Sequence, residues 1–154
     1  MKLSKNFTLQ EFTKSQTAIR MDIDNTPNEG HLENAKALFD NVVQKVRDHF
    51  GVTTINSGYR GPELNKAVGG SSKSQHCHGE AADIECPGVA NADLAQYIVD
   101  NLDFDQVILE FYTPGIDDSG WVHVSHKTDG TNRKRALTAM KENGKTVYKV
   151  GLIK

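Results

Sequence analysis

The sequence has little cysteine and no long apolar run. Two cysteines in 154 residues, Cys77 and Cys86, are too few for a disulfide framework. No stretch approaches the roughly 20 apolar residues that a membrane-spanning helix requires, and residues 1–12 lack the apolar segment of a signal peptide. We therefore expect a chain that is made in the cytoplasm, keeps its thiols reduced and has no membrane partner.

An excess of charge of one sign is also absent. Lys and Arg number 18 against 20 Asp and Glu, which gives a formal net charge of -2. The longest basic cluster, Asn132–Arg135, fits a solvated strand end at least as well as a phosphate site. This composition argues against a nucleic-acid partner, and the mixed surface favours a monomer. The length suits a single domain over residues 1–154 with one hydrophobic core.

Helices are predicted from start signals and from apolar periodicity. Thr8 and Glu11 form a capping-box pattern that opens a short helix. The stretch Thr26–Glu29 combines a cap, a proline and a glutamate at the spacing of a helix start. Apolar residues then recur at helical spacing until Gly51, which ends this second helix. A later helix is expected over Asp93–Leu102.

Strands are predicted where β-branched and aromatic residues cluster between turn residues. The segment 135–150 has the pattern of a hairpin closed by Asn143-Gly144. Because helices come first and strands follow with short links, we expect an α+β domain with a mostly antiparallel sheet and helices packed on one side. The other predicted strands are Val52–Asn56, Glu80–Cys86, Phe104–Phe111 and Trp121–Ser125.

The segment Ser74–Cys86 concentrates side chains that bind metals, with two His, two Cys, two Glu and one Asp. His76 lies in a loop and Asp83 follows seven residues later on the next strand, so a turn at Gly79 lets both converge on one point. Catalytic zinc commonly has three protein ligands and keeps a fourth position for water.

A third ligand is expected from the strand Trp121–Ser125. Side chains alternate along a strand, so His123 lies on the face opposite Val122 and Val124, where no buried core requires a histidine. Two other assignments remain open from the residues alone. His76 and His78 could form an HxH pair, and Cys77 is a chemically possible ligand.

The same residues resemble a known family. The motif Ser74-x-His76-x-x-Gly79-x-Ala81-x-Asp83 is similar to the first zinc motif of the zinc D-Ala-D-Ala carboxypeptidase and dipeptidase family, and Trp121-x-His123 resembles its second. The segment SGYR resembles the one that carries the active-site arginine. The opening FTLQEF and NTP and the closing NRKRALTA resemble the short single-domain branch in bacteria and tailed phages.

The resemblance implies one Zn²⁺ ion, a hedgehog/DD-peptidase-like fold and a role for each matching residue. Arg60 would stabilise the oxyanion or bind a substrate carboxylate. The implied zinc ligands are His76, Asp83 and His123. From their place beside the first ligand, Ser74 and Gln75 could bind the peptide backbone, and Ser74 could equally cap a turn. Trp121 could form a wall of the cleft or pack against its strand.

The general base is not given directly by the motifs. Many members of the family have an acidic residue three positions before the last histidine, where this chain has Gly120. We expect Glu110 to be the base, because it interrupts an otherwise apolar strand and the short branch has a glutamate at the same place. Asp117 and Asp118 are the alternatives, and a solvent-facing Glu110 is the alternative orientation.

These implications predict a zinc peptidase that acts on peptidoglycan stem peptides, at bonds involving D-amino acids or at the L-Ala–D-Glu bond. The missing signal segment favours a phage or prophage lysis enzyme that reaches the wall or periplasm through a separate holin-type pore. Gly120 supports an alternative, a catalytically silent zinc-binding domain that acts in wall binding or as a phage structural protein. A zinc amidase is a third reading.

Overall fold

The computed structural model describes residues 1–154 and contains eight strands. The strands are β1 (Lys2–Ser4), β2 (Phe7–Thr8), β3 (Thr54–Ser57), β4 (Ala81–Glu85), β5 (Gln106–Glu110), β6 (Trp121–Ser125), β7 (Arg135–Glu142) and β8 (Lys145–Val150). The helices are α1 (Leu9–Thr13), α2 (Gln16–Arg20), α3 (Glu29–Leu38), α4 (Gln44–Phe50), α5 (Pro62–Ala67) and α6 (Asn91–Asn101). A π-helical turn (Phe39–Val43) joins α3 to α4, and a 3₁₀ helix (Gln75–His78) precedes β4.

A six-stranded sheet in the order β3-β4-β6-β5-β7-β8 organises the molecule, and β1 and β2 form a separate pair. Every neighbouring pair in the large sheet is antiparallel except β5 and β7. The predicted α+β architecture with a mostly antiparallel sheet is confirmed. So is the terminal hairpin, whose turn residues Asn143 and Gly144 have φ values of 53° and 77°, as a type I′ turn requires.

The sequence predicted the start of the first helix correctly and placed the start of the second too early, because of local hydrogen bonds. The capping box of Thr8 and Glu11 is present as predicted. The second helix begins at Glu29 with Asn28 as its cap, not at Thr26, because the Asn28 side chain accepts the His31 N–H at 2.8 Å. The Thr26 hydroxyl instead donates to Asp24 at 2.7 Å. The helix then continues through the π-helical turn to Gly51, as predicted.

The core lies between one face of the sheet and the helices. Val122 and Val124 of β6 are fully buried, as are Val107 and Leu109 of β5. They belong to one cluster with buried residues of α3, the π-helical turn and α6. This packing leaves the alternate residues of β4, β5 and β6 to form the opposite face. None of the helices combines the length and the apolar character needed to cross a bilayer.

Candidate metal centre and active site

Three potential metal ligands meet on the face of the sheet opposite the core. His76, Asp83 and His123 each offer a ligand atom, and these atoms lie within 4.8 Å of one another. Asp83 and His123 are directly paired in the register of β4 and β6, and His76 is supplied by the 3₁₀ helix before β4. The convergence predicted for these three residues is therefore present in the structure.

Hydrogen bonds orient the group. His76 Nδ1 lies 2.7 Å from the carbonyl oxygen of Gly58, which can only accept, so Nδ1 carries the proton and Nε2 of the neutral ring is free. That Nε2 lies 3.4 Å from Asp83 Oδ1, and His123 Nδ1 lies 3.0 Å from the same oxygen. A histidine that donates its other ring N–H to a carbonyl is the usual arrangement behind a metal ligand. The donor set thus fits a metal ion.

The Asp83 carboxyl remains ionised in this setting. Burial by itself would raise its pKa, but the His123 and His76 imidazoles, in their protonated form, donate hydrogen bonds and place positive charge beside it, which holds the pKa well below its usual range. An ionised carboxylate between two nitrogen donors has the composition of a zinc site, for which oxygen and imidazole ligands are common.

The ligand turn, residues 74–79, presents His76 and depends on two local features. The Ser74 side chain accepts the His76 N–H at 3.2 Å and caps the 3₁₀ helix. Gly79 ends it with φ of 73°, and a Cβ at this position would meet the His31 carbonyl group. Any other residue would combine a strained backbone with a steric clash, which explains the glycine in the motif.

The rival ligands lie elsewhere. Cys77 and His78 are not members of the three-residue group. The His78 ring packs edge-on against His31, with centroids 5.7 Å apart, and burial raises the pKa of the Cys77 thiol, which disfavours the thiolate form that binds metals. Cys86 is buried directly after β4, where its sulfur lies 3.3 Å from the Thr53 hydroxyl. The HxH assignment is therefore not supported.

Glu110 faces the same cleft as the three potential ligands, so the solvent-facing orientation is excluded. Its carboxylate accepts a hydrogen bond from Trp121 Nε1 at 2.8 Å, because Glu110 and Trp121 are paired between β5 and β6. Burial, and next the negative charge of Asp83, raise the pKa of the Glu110 carboxyl. A carboxyl with a raised pKa is better suited to accept and return a proton near neutral pH than an ordinary glutamate.

The structure also explains why position 120 carries no acid. Gly120 has φ of 64°, and a Cβ there would meet the Glu110 carbonyl oxygen and lie 2.7 Å from the Phe111 carbonyl carbon. An acidic side chain is therefore sterically excluded by the very segment that contains Glu110. The alternative bases, Asp117 and Asp118, are exposed in the loop before β6 and do not line the cleft.

The remaining predicted site residues all line a cleft of about 450 Å³. Arg60 contacts the ligand turn twice, through its backbone N–H to the His76 carbonyl at 3.1 Å and through Nη2 to Ser74 Oγ at 3.5 Å. Its Nε is buried without a partner. Gln75 donates from Nε2 to Asp105 at 2.9 Å, so part of its hydrogen-bonding capacity is already used. Trp121 forms a wall of the cleft, as expected.

Sequence reasoning missed part of the cleft. Lys73, Arg133 and Tyr148 also line it. The cluster Asn132–Arg135 is solvated as expected, since Arg133, Lys134 and Arg135 are all exposed, but the prediction missed that Arg133 also lines the cleft. Asp105, an acid just before an apolar strand, could have indicated that a buried charge needs a partner. That partner is Arg133, 28 residues away in the sequence, and local sequence patterns do not predict such a distant pairing.

The comparison with known protein families agrees with this geometry. Residues 5–125 match the family model described as Peptidase M15. The chain belongs to the Peptidase M15 family. This assignment confirms the resemblance noted from the motifs and makes the chain a peptidase domain of the zinc metallopeptidase type. No curated protein matches the chain.

Proposed function

We propose that this Peptidase M15 domain hydrolyses peptide bonds in peptidoglycan stem peptides with one Zn²⁺ ion. One observation carries the proposal: the His76, Asp83 and His123 group lies in the same cleft as a carboxylate of raised pKa and an arginine. These are a ligand set, a proton acceptor and an anion binder, the three parts that metal-assisted hydrolysis needs.

Each residue has a distinct task. His76 Nε2, an oxygen of Asp83 and His123 Nδ1 would hold the metal. A bound zinc ion supplies Lewis acidity toward the scissile carbonyl and lowers the pKa of water. The Glu110 carboxylate accepts the proton of the attacking water and returns it to the leaving amine. Trp121 Nε1 orients that carboxylate through its 2.8 Å hydrogen bond.

Arg60 and the ligand turn position the substrate. The guanidinium group of Arg60 stabilises negative charge that develops on the carbonyl oxygen, or binds a terminal carboxylate. The Ser74 hydroxyl and the Gln75 amide oxygen offer hydrogen bonds to the peptide backbone. A phage or prophage lysis enzyme that reaches the wall through a holin-type pore is the biological setting that we propose, by analogy with the short branch of the family.

The test is mass spectrometry of purified peptidoglycan after incubation with the protein, with zinc and with a chelator. We expect new stem-peptide fragments that are absent when the chelator is present, and their masses identify the bond that is cut. Release of intact stem peptides from the glycan would instead indicate an amidase. Intact muropeptides in both samples, from protein shown to carry zinc, would contradict the proposal.

The silent zinc-binding alternative rested on Gly120. The presence of Glu110 in the cleft supports turnover instead, because a proton acceptor is available without an acid at position 120. Zinc retained by the protein together with binding to sacculi but no fragments would favour the alternative, in which the domain acts in wall binding or as a phage structural protein.

A further inference from the structure

A second arginine lines the cleft in a segment that the family match does not reach. The matched residues end at Ser125, whereas Arg133 lies just before β7. About half of its side chain is exposed, at 48%, and it faces the cleft that contains the potential metal ligands. None of the roles proposed above uses this residue.

A fully buried carboxylate fixes the orientation of Arg133. Asp105 accepts from Arg133 Nε at 3.1 Å and from Nη2 at 2.8 Å, and its Oδ1 also accepts the Arg133 backbone N–H at 3.0 Å. Gln75 Nε2 provides a fourth hydrogen bond to the same carboxylate at 2.9 Å. Because Asp105 is completely buried, this arrangement holds both the backbone and the guanidinium plane of Arg133.

The guanidinium group keeps unused donors. Of its five N–H groups, Nε–H and one N–H of Nη2 bond to Asp105, so three remain, two of them on Nη1, which has no protein partner. A planar guanidinium that is already oriented loses little conformational freedom when it binds an anion. The Arg133 guanidinium is therefore preorganised to bind a carboxylate that enters the cleft.

The two arginines lie on either side of the strands β4, β6 and β5, at the same end of those strands. In the sheet, β3 and β7 are separated by β4, β6 and β5. The strand directions place the last residue of β3 and the first residue of β7 at this common end. Arg60 follows β3 and Arg133 precedes β7. The neighbouring residues Ser74 and Gln75 contact Arg60 and the Asp105 partner of Arg133 respectively, so both arginines adjoin the ligand turn.

The charge of the cleft points to an anionic ligand. Three cationic side chains line it, from Arg60, Lys73 and Arg133, and two carboxylates, from Asp83 and Glu110, while Asp105 behind Arg133 supplies a third negative charge. These charges balance, so a bound divalent ion would make the cleft positive. One terminal carboxylate on Arg60 would leave Arg133 without a counterion from the substrate.

We propose that Arg133 is a specificity-determining residue. It binds a free carboxylate of the stem peptide, and this carboxylate is a different group from the one that Arg60 binds. The inference rests on the proposed function. Stem peptides offer such groups on their second and third residues, either as free carboxylates or as carboxamides. A carboxamide lacks the charge and the second acceptor oxygen that a guanidinium fork recognises, so Arg133 would select unamidated stem peptides.

The test compares matched synthetic stem peptides that differ only in a carboxylate or a carboxamide, at the second or at the third residue. For the zinc-loaded wild-type protein, we expect kcat/KM to favour the carboxylate form of one pair by about ten- to a hundredfold, the usual value of a hydrogen bond to a charged group. In Arg133→Gln this ratio should fall to near one, through a rise in KM for the carboxylate peptide.

Two further variants keep the result interpretable. Arg133→Gln leaves Asp105 buried without its ion-pair partner, so the double variant Arg133→Gln/Asp105→Asn, which removes both charges, provides a second measurement and should show the same loss of selectivity. Arg135→Gln is the matched control, because Arg135 is exposed and does not line the cleft. It should retain the wild-type ratio.

The outcomes separate the two proposals. Equal cleavage of both members of each pair by the wild-type protein, or a ratio that persists in both Arg133 variants, would refute the role of Arg133 and leave the peptidase proposal intact. A lower melting temperature with an unchanged ratio would make Arg133 purely structural. Cleavage of none of the peptides, and of no sacculi, by zinc-loaded wild-type protein would overturn the proposed function and this inference together.

Discussion

Asp105 is completely buried and Asp83 is largely buried beside the same cleft, and both carboxyls have a lowered pKa, but different partners stabilise their ionised forms. Asp83 lies against two imidazoles, His76 and His123. Asp105 accepts hydrogen bonds from Arg133 and Gln75. Imidazoles lose their protons near neutral pH and then bind metals, whereas a guanidinium keeps its proton.

The difference separates a metal site from a structural anchor. The partners of Asp83 are themselves ligands, so a metal ion can replace the proton-mediated contacts among the three side chains. The partners of Asp105 contact it only through N–H groups, which do not bind metals, so that carboxylate is committed to hydrogen bonds within the protein. Glu110 completes the comparison, since burial raises its pKa and no cation pairs with it directly, which leaves it available for proton transfer.

The largest effect is expected at Asp83. Asp83→Asn removes the anionic ligand, so bound zinc and turnover should both fall. Each loss should exceed the roughly tenfold to hundredfold that follows when a residue hydrogen-bonded to a metal ligand is removed. Metal analysis after dialysis and muropeptide turnover measure the two losses. Asp105→Asn is the matched control, and it should retain zinc at wild-type stoichiometry. Retention of zinc by Asp83→Asn would contradict the ligand assignment.

Glu110→Gln should separate metal binding from proton transfer. The amide keeps the size of the side chain and can still accept from Trp121, but it cannot take a proton from water. We expect zinc content to remain as in the wild type and kcat to fall by about 10²- to 10⁴-fold. Asp117→Asn, in the exposed loop, should have near-normal turnover. The reverse pattern in these two variants would move the base to the loop.

The alternation of side chains made much of the site predictable. Strand β6 had to place Val122 and Val124 in the core, which left His123 on the opposite face, and the short spacing from His76 to Asp83 joins one turn to one strand. The strands β1 and β2 were missed because two or three residues are too few to show a period. The parallel pairing of β5 with β7 depends on the path of a loop, for which no residue pattern gives a rule.

Arg133 and Glu110 mark the limit of such reasoning from opposite sides. Glu110 was identified because a charged residue in an apolar strand requires a local explanation. Arg133 stood among other basic residues, where a solvated surface explained it equally well. Its place in the cleft is decided by Asp105, which becomes buried only when β5, β7 and the ligand turn have packed together.

Asp105→Asn should reduce stability without loss of metal. The variant keeps the shape of the side chain but removes the charge that pairs with Arg133. Because Arg133 is half exposed and can be solvated, we expect the free energy of unfolding to fall by about 1–3 kcal/mol, measured by urea denaturation of the metal-free protein. Asp103→Asn, an exposed neighbour, is the control. A stability equal to that of the wild type would show that the ion pair contributes nothing.

The smallest effect is the pH dependence of that contribution. Burial alone would raise the pKa of Asp105, but the hydrogen bonds from Arg133 and Gln75 and the charge of Arg133 lower it to about 2, below the roughly 3.9 of an unfolded aspartate. The stabilisation is therefore complete above about pH 4 and is lost as the pH falls toward 2. It amounts to at most about 2–3 kcal/mol, reduced by the exposure of Arg133.

Urea denaturation of metal-free wild type and Asp105→Asn between pH 5 and pH 2.5 measures this loss. The difference in stability between the two proteins should shrink as the pH falls, because a protonated Asp105 approaches the asparagine in charge. The Asp83 carboxyl, whose pKa is also lowered, titrates in both proteins and so cancels from the difference. A gap that stays constant down to pH 2.5 would mean that Asp105 stabilises the fold through its shape and hydrogen bonds and not through its charge.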